Sequence, residues 1–171
     1  MRPIIIAALM AISMAACAPT PTPTVTPSAQ ATLVTEQIQN LIVTHPQAWQ
    51  MTSGPGPAEV GRLNLFPLFY LSNTPLGAVT CSPNDGCSEP TDALPAGGAL
   101  VSVSRNPGLA EMLPPSVYVE AASGDCQSIG GERHVYAVVE GVVVNACLRG
   151  PGRDQAEAQV RELISALHRA P

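Results

Sequence analysis

The sequence has no lysine. All eight of its cations are arginines, set against thirteen acids, so the 171-residue chain carries a formal net charge of −5. Apart from Arg2, the arginines stand singly at positions 62, 105, 133, 149, 153, 161 and 169. A nucleic-acid binder displaces counterions with clustered cations. No such cluster is present, which excludes nucleic acid as an expected partner. The lack of lysine also rules out a Ser-x-x-Lys nucleophile, and Gly-x-Ser-x-Gly is missing as well. No Cys-x-x-Cys supports redox work. No EF-hand loop is present, and no Gly-rich phosphate loop precedes a helix. Aromatic residues are scarce: Trp49, Phe66, Phe69, Tyr70, Tyr118 and Tyr136. A core must therefore come from Val, Leu, Ile and Ala. With 46% apolar and 12% charged residues, the chain is globular in composition.

The first residues are organised differently from the rest. Arg2 precedes the apolar run Ile4–Ile12, followed by Met14-Ala15-Ala16-Cys17. That run is well short of the ~20 apolar residues a membrane-spanning helix needs, and it has the order of a signal peptide. The end of the run resembles the bacterial lipobox, in which an aliphatic residue, a small residue and Gly or Ala precede Cys. Ala15, Ala16 and Cys17 match, with Met14 where Leu is usual. The resemblance implies that residues 1–16 are removed and that Cys17 becomes a lipidated N-terminus. It would anchor the protein to the bacterial cell membrane on its extracytoplasmic side. The alternative is an ordinary secretory signal cut nearby. Pro19, Pro21, Pro23 and Pro27 alternate with threonine after Cys17. Residues 17–32 thus read as a lipidated cysteine and semi-rigid tether, whose Pro/Thr stretch 18–29 reaches up to roughly 37 Å at ~3.1 Å per residue.

Residues 33–171 remain for one domain. Expected strands are 38–43, 62–66, 68–71, 77–81, 99–104 and 116–120, with Pro67 marking an edge, bulge or break. Residues 134–139 and 142–147 flank Glu140-Gly141 and read as a tight hairpin. The spacing of Ala156, Val160, Leu163, Ile164 and Leu167 predicts an amphipathic helix over 154–168. Asp154 is its expected N-cap, Glu157 its capping-box partner, and His168-Arg169 would lie at its C-terminal end. Strands in series with a closing helix give an α+β fold: a mostly antiparallel sheet with the helix packed on one face. The segments His45-Pro46-Gln47-Ala48-Trp49 and Leu94–Val101, and Ala146–Arg149 before a final helix, resemble PsbP/Mog1-like small lipoprotein domains. That resemblance implies a binding or assembly factor rather than an enzyme, by fold analogy alone.

Cys81, Cys87, Cys126 and Cys147 remain after the anchor. An even count in an exported domain points to two disulfides, with three possible pairings. Cys81 and Cys87 bracket a turn-rich loop, which favours that pair and leaves Cys126 with Cys147. Structural zinc would want two to four residues between ligating cysteines, not five. Asn84, Asp85, Glu89 and Asp92 offer oxygens to Ca²⁺, but such an acidic loop is usually just solvated. No cofactor or metal is expected. His45, His134 and His168 have no nucleophile at a recognisable spacing.

Two functions follow from these residues. One is a non-catalytic binding domain for an envelope protein, glycan or lipid. The other is a hydrolase with a residue such as His134, Asp125 or Glu132 in a cleft. The ligand is expected at the loops 52–59, 82–97 and 104–115, with the helix as scaffold.

Overall fold

A computed structural model describes residues 31–55, 67–82, 86–105, 114 and 116–171. In chain order the strands are β1 (Leu33–Ile38), β2 (Leu41–Pro46), β3 (Gln50–Ser53), β4 (Pro67–Ser72), β5 (Cys81–Ser82), β6 (Gly86–Cys87), β7 (Ala99–Ser104), β8 (Val117–Ala121), β9 (Arg133–Val139), β10 (Val142–Leu148) and β11 (His168–Arg169). The helices are α1 (Gly124–Ser128) and α2 (Arg153–Ala166). Every strand pairing is antiparallel, and α2 packs against the sheet, so the fold is α+β as expected.

The largest sheet has six strands in the order β3-β4-β7-β10-β9-β8. One of its two central strands, β10, forms the expected hairpin with β9. Val139 pairs with Val142 across a turn in which Glu140 and Gly141 have φ of 52° and 73°. Two successive left-handed residues give the turn a twist that matches its strands. Because directly paired residues share a face, the register sorts the side chains. Val144, Ala146 and Leu148 point to one face with Val135, Ala137, Val101, Val103, Phe69 and Leu71. Ala156, Val160, Leu163 and Ile164 of α2 and Leu167 just beyond it are buried against this face. The expected helical stripe is therefore the core contact. Tyr70 and Leu100 lie on the opposite face, with Leu94 and Ile129 packed over them from neighbouring loops.

A second sheet, β1-β2-β11, adds Leu41 and Val43 to the core. Here the structure corrects the expected strand 38–43. The chain turns at Gln39-Asn40, with Gln39 at φ 54°, and the strand after the turn runs from Leu41 to Pro46. Two more corrections concern α2. Its N-cap is Gly152, in the left-handed region at φ 90° and without a side-chain cap bond. Asp154 therefore lies one position inside the helix, and its carboxylate pairs with Arg133 on β9. At the other end Leu167 is extended, and His168 and Arg169 pair with Ile42 and Leu41 instead of completing the last helical turn. The expected strand 77–81 is also mostly irregular: only Cys81-Ser82 is strand, paired with Gly86-Cys87. Pro67 opens β4, and the register with β7 shifts between Pro67 and Phe69, as a residue without an N–H requires. Residues 62–66 and Cys17 lie outside the described residues.

Candidate cleft beside the helix N-terminus

Three segments close around a cleft of about 590 Å³. The first is the turn Pro46–Trp49, held by the Trp49 N–H donating to the Pro46 carbonyl at 2.9 Å, with the Gln47 N–H bound to Thr32 at 2.8 Å. The second is the Pro95–Gly98 turn, whose Gly97 N–H donates to Arg149 at 2.7 Å. Asn73 clamps this turn by donating to the Gly97 carbonyl and accepting from the Ala99 N–H, both at 2.8 Å. The third is the start of α2, where Gln155 and Gln159 stand i,i+4 on the flank of the buried stripe. Gly97 and Gly152 meet where the last two segments touch. A Cβ on Gly97 would come 3.2 Å from the Pro151 carbonyl oxygen, and both glycines have positive φ.

The chemistry of this lining is uniform. Thr32, Gln47, Asn73, Gln155 and Gln159 supply the polar side chains, and Trp49, Pro46, Ala48 and Ala156 the apolar surface; none of them ionises. Such a wall can hydrogen-bond and exclude water, but it has no general acid or base to offer. Sequence reasoning missed it because a glutamine beside an apolar helical stripe reads as a solvated position.

The residues named for hydrolysis go to three separate places. His134 faces the solvent side of the large sheet, with Nδ1 3.2 Å from Glu120 and Nε2 3.3 Å from Asn145 Oδ1. Its ring leans on Tyr136, which stacks on Tyr118 with centroids 4.9 Å apart. The histidine thus has an acid and an amide, and no serine or threonine hydroxyl is bonded to it among the described residues. Glu132 pairs with Arg153 at 2.7 Å. Asp125 lies in the first turn of α1, where its charge acts on Glu89 and Tyr70. His45 is buried and donates through Nδ1 to the Pro46 carbonyl at 3.0 Å, with Glu36 3.7 Å from Nε2. His168 lies exposed on β11.

Of the oxygens considered for Ca²⁺, Glu89 and Asp92 line a shallow cavity with Thr80, Ser88 and Thr91, while Asn84 and Asp85 lie outside the described residues. Among the described residues, no three His, Cys, Asp or Glu side chains come together as a metal would need. The four cysteines stand in two pairs at disulfide distance, Cys81 with Cys87 and Cys126 with Cys147. The second pair explains a glycine. A Cβ on Gly131 would come within 2.6 Å of both the Sγ and the carbonyl oxygen of Cys126.

No protein-family model, curated protein or solved structure matches the chain.

Proposed function

We propose that the protein is an extracytoplasmic lipoprotein, anchored through a lipid on Cys17, whose domain binds a ligand without transforming it. The observation that supports the binding role is the cleft of about 590 Å³, a size typical of small-ligand sites, with no ionisable side chain among the described residues that line it. Catalysis of hydrolysis calls for a group that moves a proton or attacks, and the described residues of this wall offer only amides, one hydroxyl and apolar surface. The anchor rests on the lipobox-like run before Cys17, and no described helix is long and apolar enough to cross a membrane.

The anchor is tested by Cys17→Ser. Wild-type protein should sediment with membranes and take up labelled fatty acid. The variant should lose the label and either leave the membrane fraction or accumulate uncut. Labelled, membrane-retained variant would refute lipidation at Cys17.

A further inference from the structure

We infer that the cleft between the first two turns of α2 and the Pro46–Trp49 turn takes a neutral oligosaccharide. The inference rests on the binding role proposed above and names the ligand class. Charge is the first filter. With no cation among the described residues of the lining, a phosphate, carboxylate or uronic acid entering the cleft would lose water without gaining a counter-charge, and with no acid among them the same holds for an ammonium group.

The second filter is which polar groups remain free. Three of the rim's backbone donors are already used: Gln47 N–H on Thr32, Trp49 N–H on Pro46, and Gly97 N–H on Arg149. An extended peptide is held mainly by main-chain bonds to a strand edge, and this rim has none of these donors to give. Asn73 is likewise occupied at both ends of its amide. Gln47, Gln155 and Gln159 make no side-chain hydrogen bond to the described residues, and each lines the cleft.

A primary amide sets two donors beside an acceptor. A sugar hydroxyl also donates and accepts, so amides can pair with neighbouring hydroxyls whichever way these are turned. Ala48 adds exposed apolar surface, and Trp49 and Pro46, both nearly buried, close the floor of the cleft beneath it. A lipid chain would instead leave the three amides without partners.

Trp49 is the only tryptophan in the chain and lines the cleft from the core, so a change in emission comes from this one position. Full-length protein, purified in a detergent with no sugar head group, is titrated with maltotriose, chitotriose, trigalacturonate and a capped alanine tripeptide. At least one of the two neutral trisaccharides should give a saturable change in emission, and trigalacturonate should give none. The double variant Gln155→Ala/Gln159→Ala should bind about tenfold more weakly at unchanged thermal stability, since both side chains reach solvent. No saturable change with either neutral trisaccharide, or undiminished binding by the double variant, would overturn the inference. Saturation by the tripeptide alone would also overturn it while leaving the binding role standing. Shorter sugars accumulating during the titration would instead overturn the non-catalytic role and leave the ligand class intact.

Discussion

Between β6 and β7 the Glu89 carboxyl is half-buried, with one oxygen shut away from solvent and without a hydrogen-bond partner among the described residues. Burial pushes its pKa above the usual 4.5, and the nearby negative charge of Asp125 adds to the shift. The Tyr70 hydroxyl is raised as well, first by its own burial and then by Glu89 and Asp125. A carboxyl whose folded pKa exceeds its unfolded value contributes stability that is fully present below the unfolded value. That contribution is lost as the pH rises through the folded value. Glu89→Gln should therefore raise the melting temperature at pH 7 and flatten its dependence on pH just above 4.5. Equal pH dependence in both proteins would show that Glu89 is not held uncomfortably. Glu157 behaves oppositely. Burial works against its charge, but hydrogen bonds from Arg161 and Arg133 outweigh that and lower its pKa. The i,i+4 pair of Glu157 with Arg161 could be read from spacing. The pairing with Arg133, 24 residues away, could not, nor could the burial of Glu89.

In α2 the buried face and the cleft-facing flank are neighbours on one cylinder. Leu163 is 1% exposed in the middle of the stripe. Leu163→Ala should lower unfolding free energy by about 2–5 kcal/mol in chemical denaturation. An unchanged midpoint would mean that the stripe is not core. Elements specified by local pattern were legible in the sequence: this helix by its apolar period, and the β9–β10 hairpin by two valine-rich runs around Glu140-Gly141. Elements that depend on distant partners were not. Gln39 adopts a left-handed turn with no glycine to mark it. β11 is strand only because it meets Ile42 and Leu41 at the end of a fold already built. The cleft was illegible for the same reason. Among the described residues of the loops expected to meet a ligand, only Gly97 reaches it, while Gln47, Asn73 and the pair Gln155 and Gln159 are brought together from three parts of the chain.

Across the whole molecule, the two cysteine pairs act at different ranges. Cys81–Cys87 closes a short loop, whereas Cys126–Cys147 spans 21 residues and ties α1 to a central strand of the large sheet. Each bridge should contribute about 2–4 kcal/mol, the longer one somewhat more. Peptide mapping by mass spectrometry without reduction should recover both cross-links and no free thiol among these four residues. Recovery of alkylated thiols, or of crossed pairings, would refute the assignment. The small sheet has a consequence of another kind. β1, the first strand, and β11, the last, flank β2 at its two edges, and β1 pairs with β2 alone. For a domain held by its N-terminus, a pull on the leash meets the fold first at Thr32, whose carbonyl accepts from the Gln47 N–H, and then at Leu33. It opens the β1–β2 ladder from the Leu33–Pro46 end, one rung after another, before it reaches any strand of the six-stranded sheet. The outer strand would act as a shock absorber, lengthening the leash by its own six residues while the rest of the domain stays closed.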